Sequence, residues 1–441
     1  MSPQIEAALI AGIVSLISLG GTVVVALKGF QAAKSTTKET LEAQREQLER
    51  TLEEQHVRTL NDRFATAAEK LGNDKPPPVR LAGVYAMAGL ADDWDDNRQA
   101  CIDVLCGYLR MPYARDPGEG EARLGFLADR EVRHTVIRVI TDHLRESAKK
   151  SWRGRDFDFT NVVFDGGDFS QARFSGGMVR FGGAEFTGGT VDFHSAKFTG
   201  ATVDFHGAEF TSGTVDFSST EFSGGRVDFS YAGFSGSTVE FGSSKFTGAG
   251  VSFGGAEFFR GRVSLTLAEF FRGRVGFRSA RFSGGTVDFG FAKFSGATVG
   301  FRFAEFTDGT ADFGNAEFTD GTVDFGNAKF SGATVDFGRA KFTGATVDFG
   351  NAKFTGATVD FRLVSAWLHP PQFDWDVDAV PPEGVMRPTE SGDTPKLAAG
   401  VGGALDRFVI SSGHSWAATL PRRDARSAGW VEVAGRGLLA N

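Results

Sequence analysis

From Asp168 to Phe361 the hydrophobic and polar positions of this chain repeat every 12 residues. One unit reads Val335-Asp336-Phe337-Gly338-Arg339-Ala340-Lys341-Phe342-Thr343-Gly344-Ala345-Thr346, and the next begins at Val347. Val335 and Phe337 are two residues apart, as are Ala340 and Phe342. Alternate residues of a strand point to one face, so each pair points inward together while Asp336 and Lys341 point out. Gly338 and Gly344 supply corners that tolerate unusual backbone angles. The phenylalanine spacing alternates five then seven, as in Phe313, Phe318, Phe325, Phe330, Phe337 and Phe342. Between Phe169 and Phe361 only Leu265 interrupts that series. A period this strict predicts a solenoid in which each unit buries its apolar face against its neighbours. Recurrent Gly and β-branched residues argue against helix.

The chain leading into the repeat reads Phe157-Asp158-Phe159-Thr160-Asn161, Val162-Val163-Phe164-Asp165-Gly166, Gly167-Asp168-Phe169-Ser170-Gln171, Ala172-Arg173-Phe174-Ser175-Gly176. On these residues it resembles the pentapeptide-repeat family. The resemblance covers about 157–361 and implies a right-handed, four-sided parallel β-helix, with the central residue of each pentapeptide and the one two before it inside. Beyond Phe174 two extra residues enter after every second pentapeptide. Either 12 residues then make one flattened coil or 24 make one four-sided coil. Charge favours 24. Read at that interval, one column is Lys197, Glu221, Lys245, Glu269, Lys293, Glu317 and Lys341, alternating in sign. Read every 12, Glu209 falls on Glu221 and Glu305 on Glu317, and like charges on neighbouring strands repel.

Toward the N-terminus, Ala7–Leu27 is 21 residues without a charge, enough to span a bilayer as a helix. Lys28, Lys34 and Lys38 follow it, and only Glu6 precedes it. The positive-inside rule predicts an uncleaved signal-anchor over 1–30 in the cell membrane, single-pass, with the C-terminal region cytoplasmic. The stretch 31–72 reads as one long helix with Glu46–Arg50 and Glu54–Arg58 pairs. Leu41, Leu48 and Leu52 suit a homodimeric coiled-coil stalk or a helix packed on the next domain. A small all-α domain over 73–150 follows, with Asn97 and Asp129 as candidate caps of its second and third helices. Its first pair of helices resembles a HEAT-type hairpin. The region 58–113 also resembles the helical segment that precedes the repeats in bacterial membrane-anchored pentapeptide-repeat proteins. After Phe361, the residues 362–381, with Trp367, Pro370, Pro371, Phe373 and Trp375, are expected to cap the solenoid. Residues 382–441 are expected to be a disordered tail. The fold class is thus mainly β: a solenoid preceded by a transmembrane helix, a long helix and the helical domain.

Composition adds limits. Most of the 44 Phe and about two thirds of the 58 Gly come from the repeat. A net charge of −8 gives no bulk basic signature, so no nucleic-acid partner is expected. Cys101 and Cys106 are five apart and match no metal spacing, which suits buried free thiols. No catalytic, metal or cofactor site is expected. His194 and His206 with Asp192 and Asp204 occupy equivalent exposed corners. The serines and threonines after each Phe have no His base, and no Gly-Lys-Ser/Thr phosphate loop is present. The Asp before each seven-spaced Phe forms a column that reads as a solvated outer face.

One section breaks the column. Asp192, Asp204, Asp216, Asp228 and Glu240 give way to Ser252, Ser264 and Gly276 before Asp288 resumes it. The same section carries Arg260, Arg262, Arg272, Arg274, Arg278 and Arg281, outward Phe259 and Phe271, and corner residues Leu267, Phe291 and Phe303. Arginines beside exposed aromatics are the composition of an interface. Phe259, Phe271, Arg260, Arg262, Arg272, Arg274 and Arg278 are therefore the candidate partner-binding residues, wrapping the rod as a belt. The function expected is a non-enzymatic, membrane-tethered scaffold for an unidentified protein partner. The alternative is a nucleic-acid mimic that inhibits a DNA-binding enzyme such as a topoisomerase.

Overall fold

The computed structural model describes residues 3–72, 74–368, 371–374 and 381–387; some side chains between 5 and 39, and that of Trp367, lie outside the description. Among the described residues four helices precede the solenoid: α1 (Pro3–Lys70), α2 (Pro77–Asp93), α3 (Arg98–Leu109) and α4 (Glu121–Leu144). Leu60, Ala67 and Leu71 fasten the end of α1 to the helical domain, whereas Leu41, Leu48 and Leu52 are exposed.

The membrane expectation is overturned. Among the described residues no helix is long and apolar enough to cross a membrane. The apolar stretch does not form a separate segment with its own end. It is the start of one uninterrupted 68-residue helix rich in charged and polar residues. The single-pass cell-membrane placement rested on that span and falls with it.

In the helical domain, α3 starts just after Asn97 as expected, although the Asn97 side chain makes no capping hydrogen bond. Asp129 is not a cap. Positive φ at Gly118 and Gly120 turns the chain earlier, so α4 begins at Glu121. Asp129 lies inside that helix and pairs with Arg80. Val132, Val136, Ile140 and Leu144 are buried along one stripe of α4. Cys101 and Cys106 are buried free thiols. Burial pushes the first up to about 11 and the second up to about 12, so both stay protonated and inert at neutral pH.

The rest is a parallel β-solenoid with four faces. Face I begins at Phe157–Asp158, face II at Val163–Phe164, face III at Gly167–Asp168 and face IV at Arg173–Ser175. Each face is a parallel sheet of nine or ten short strands. At about 4.8 Å per coil the rod is about 40 Å long. The coil holds 24 residues: Val203 pairs with Val227, Phe210 with Phe234 and Phe222 with Phe246. Only the first coil is shorter, with Phe164 opposite Phe186. Phe325 stacks on Phe349, centroids 4.6 Å apart and planes 3° from parallel, and meets Phe337 edge-on at 6.3 Å and 85°. A 12-residue coil would have reversed those two relations. The alternating-sign column runs down face IV as expected, with Lys197–Glu221 and Lys341–Glu317 ion pairs at 2.8 Å.

The spacing of five then seven now has a structural meaning. The I–II and III–IV corners keep the short Phe-x-x-Ala turn of the first coil, for example Phe193–Ala196 and Phe205–Ala208. The two extra residues enlarge the II–III and IV–I corners. Successive enlarged corners nearly touch: a Cβ on Gly225, at φ 70°, would lie 2.1 Å from the Ala201 carbonyl oxygen. Glycine is required there by contact as well as by backbone angle.

Among the described residues the helical domain covers the N-terminal end of the rod, and added strands extend faces III and IV at the other, because a bare sheet edge leaves backbone groups unpaired and invites aggregation. At the N-terminal end the helical domain supplies side-chain donors to the first coil. Arg133, buried in α4, donates to the Val163 carbonyl at 2.9 Å; Thr141 donates to that of Asp168 at 2.7 Å; Arg145 donates to that of Ser170 at 3.1 Å. Asp165 accepts from Tyr113 at 2.8 Å and from Arg130 at 3.0 Å, and lies 3.0 Å from His134. Burial works against the Asp165 charge, yet the His134 and Tyr113 hydrogen bonds outweigh it and hold the carboxyl below the usual range. At the other end Ala366–Trp367 pairs with Lys341–Phe342, and Phe373 stacks on Phe349 at 5.1 Å. Pro370 and Trp375 of the expected cap lie outside the described residues. Val385–Met386 adds a strand to face III, so the sheet reaches into the segment expected to be a tail. Residues 388–441 lie outside the described residues.

Candidate functional site

The acidic column of the sequence is two columns, one on each of two opposite faces. Face III carries Asp192, Asp216 and Glu240, then Ser264, then Asp288, Asp312, Asp336 and Asp360, paired strand to strand. Face I carries Asp204 and Asp228, then Ser252, Gly276 and Gly300, then Asp324 and Asp348. Neither is a freely solvated array. Most of these aspartates turn one oxygen back to accept the backbone N–H two residues on, at the corner: Asp204 from His206 at 2.9 Å, Asp312 from Gly314 at 2.7 Å, Asp324 from Gly326 at 2.8 Å. Their first role is local, an Asx turn that satisfies a corner donor. Stacking them costs electrostatic energy. Burial pushes the Asp312 carboxyl up, and Asp288 and Asp336 on the adjacent coils push it further. Asp228 shows the opposite balance: burial opposes its charge, but the Ser230 hydrogen bonds and the Arg226 guanidinium hold it below the usual range.

The candidate residues divide between opposite corners. Phe259 and Arg260 occupy a II–III corner, with the guanidinium 4.8 Å from the ring centroid. Arg262 follows on face III and is paired with Asp288 at 3.0 Å. Phe271 and Arg272 occupy the diagonally opposite IV–I corner, 4.9 Å apart in the same arrangement. Arg274 follows on face I, and Arg278 stands at the I–II corner, 5.3 Å from the Phe303 ring centroid. The fold therefore groups Phe271, Arg272, Arg274 and Arg278 around face I, and it separates Phe259, Arg260 and Arg262 from them. Phe259 and Phe271 are each 44% exposed, so neither belongs to the core. Among the described residues Arg260, Arg272, Arg274 and Arg278 have no carboxylate within ion-pair distance, unlike Arg262 and Arg281.

Face I has a distinct form here. Gly250, Gly276 and Gly300 all occupy outward strand positions, and a Cβ built on any of them meets nothing within 4 Å. Gly276 and Gly300 adjoin in one column, next to Ser252, whereas Gly250 stands in the other column beside Arg274 and Thr298. Arg272 and Phe271 stand on one rim; Arg278, Arg302 and Phe303 stand on the other. Two structural features are given up here. Gly276 and Gly300 lack the side chain that caps the corner elsewhere. Arg272 takes φ 54° where the flanking coils place Gly248 and Gly296 at φ 65° and 63°. A left-handed non-glycine residue costs on the order of 1–2 kcal/mol, although such residues recur at corners along the whole rod.

Comparison with protein-family models and with curated proteins returns no match. The fold itself, a parallel solenoid with phenylalanines recurring about every five residues, is consistent with a pentapeptide-repeat fold. Among the described residues no group of three His, Cys, Asp or Glu is placed to hold a metal ion.

Sequence reasoning missed Arg302 and Gly300. Both sit one coil beyond the cluster of arginines and join it only through the 24-residue register. The signal was present: Gly300 stands where the 12-residue pattern calls for an acid, and Arg302 two residues later where Gly326 and Gly350 follow the next aspartates.

Proposed function

We propose that this protein is a non-enzymatic interaction scaffold, a stiff solenoid rod that offers fixed side-chain rows to a protein partner. The observation that carries this reading is the mid-rod section of face I. There the repeat loses its acids and corner caps and gains arginines with no carboxylate partner beside exposed phenylalanines. A section that served only to extend the rod would keep the acids, because they stabilise the corners. The phenylalanine core gives the rod its stiffness and makes the spacing between surface groups constant.

The second reading, a nucleic-acid mimic, draws on the acidic row of face III. Against it, most of those aspartates already bind a corner N–H, and the matching row on face I is broken. The test uses the full chain as bait under native conditions, compared with a variant in which Arg260, Arg262, Arg272 and Arg274 are replaced by the Gly or Thr found at equivalent positions. A partner retained by the first and lost by the second supports the scaffold reading. An unchanged partner list, or inhibition of topoisomerase supercoiling by both proteins, refutes it.

A further inference from the structure

Resting on the scaffold reading, we infer that the glycine-floored section of face I binds an extended acidic peptide segment of a partner protein, laid across the rod parallel to the strands. Three observations set the chemistry. Gly276 and Gly300 leave two adjacent outward positions without a side chain, so a backbone can approach the sheet there, flanked by Ser252, Arg274 and Thr298. Guanidinium groups stand at both ends of that path, Arg272 and Arg274 toward one rim and Arg278 toward the other, where Arg302 also stands, 3.9 Å from Asp324. Arginine is the side chain best matched to a carboxylate, through two parallel hydrogen bonds. Each rim also holds a phenylalanine whose exposed ring can cover an apolar residue of the peptide.

The direction follows from what bounds the patch. Along the rod axis the row on face I runs into Asp228 at one end and Asp324 at the other. A long polyanion laid along the axis meets those carboxylates. An anion crossing the face meets arginine at both rims and no acid between them. From Arg272 to Arg278 is six residues, so the path is at most about 20 Å at ~3.3 Å per residue. A peptide of about eight residues, acidic at both ends and neutral between, spans it. The net charge of −8 and the acidic row on face III, broken only at Ser264, disfavour a nucleic acid, which would extend past the patch.

The experiment is fluorescence anisotropy of the full chain with a labelled peptide of about eight residues, two glutamates at each end of a serine–alanine centre. Two variants are compared with the native protein. In the first, Gly276→Asp and Gly300→Asp restore the acids of the repeat; each new carboxylate can cap its own corner N–H, so folding is preserved. In the second, Arg260→Gly and Arg262→Thr remove charge from the opposite corner. The expected result is that the first variant weakens peptide binding at least about tenfold and the second changes it less than about twofold. Equal loss in both variants would mean general electrostatic attraction and would overturn the assignment, as would no binding by the native protein. Tighter binding of a thymidine oligomer of about twelve nucleotides, lost in the first variant, would give the face to single-stranded nucleic acid instead. If the peptide fails while a partner sensitive to the four-arginine variant is still captured, the scaffold reading stands and only this assignment falls.

Discussion

Removing one inward ring from the middle of the rod tests the packing directly. Phe330 has no solvent exposure. Its ring lies between Phe306 at 4.8 Å and Phe354 at 5.0 Å, both nearly parallel to it, and is tilted against Phe325 at 6.1 Å and Phe349 at 6.2 Å. Those neighbours belong to three successive coils held by their own strand pairing, so they cannot close over a gap. Phe330→Ala should therefore cost about 3–5 kcal/mol, the lost transfer energy together with an unfilled cavity. Phe330→Leu should cost less than about 1.5 kcal/mol, because it preserves most of the volume. Leu265 already occupies such a position, fully buried between the coils of Phe241 and Phe289. Lys329→Ala, one residue away, removes an exposed ion pair with Glu305 at 2.8 Å and should cost less than about 1 kcal/mol. The measurements are denaturant midpoints at unchanged slope, with native-state hydrogen exchange across the three coils. In a solenoid the loss is felt locally, and 3 kcal/mol corresponds to roughly a hundredfold faster exchange through opening. Equal effects of Phe330→Ala and Lys329→Ala would refute the inward and outward assignment. A leucine variant as damaging as the alanine variant would mean that ring stacking, not volume, dominates the core.

Further predictions concern charge and backbone. The raised carboxyl of Asp312 means that the folded state holds its proton more tightly than the unfolded chain. Its unfavourable contribution is then absent below the ordinary carboxylate range, grows as pH rises through the window up to the raised folded value, and is complete above it. Asp312→Asn, which can still accept the Gly314 N–H, should keep or raise the neutral-pH melting temperature and flatten the pH profile in that window, whereas Asp312→Ala should lose about 1 kcal/mol with the hydrogen bond; a large loss in the Asn variant at neutral pH would contradict the repulsion. A double-mutant cycle of Glu317→Ala with Lys341→Ala should show a salt-screened coupling of about 0.2–1 kcal/mol, while Glu317→Ala with Lys329→Ala should show none, the opposite of what a 12-residue coil requires. Gly225→Ala places a methyl 2.1 Å from a carbonyl oxygen at positive φ and should cost more than about 1 kcal/mol, whereas Gly276→Ala, facing open space, should be close to neutral by thermal melting.

The sequence alone determined everything that depends on one coil resembling the next. The five-and-seven spacing of phenylalanine dictates which residues point inward, because the period of a strand is two whatever surrounds it. The alternation from Lys197 to Lys341 favours the 24-residue coil, because opposite charges on adjacent strands attract and like charges repel. Only the tertiary structure decided which outward residues join one patch. The 24-residue coil already put Arg262 and Arg274 on opposite sides as a belt, but the structure brought Arg302 and Gly300 into the face I patch from one coil away. It also decided what the aspartates do. A carboxylate before a corner is read from sequence as solvated, and only the path of the chain shows the N–H that it binds. The ends of the rod were settled in the same way. Arg133, Thr141 and Arg145 belong to a helix, and their value lies in the unpaired carbonyls that the first coil presents to them. Hydropathy over Ala7–Leu27 pointed to a membrane span, but hydropathy describes a segment in isolation. The fold places that stretch within one long helix, and no helix among the described residues meets the requirement.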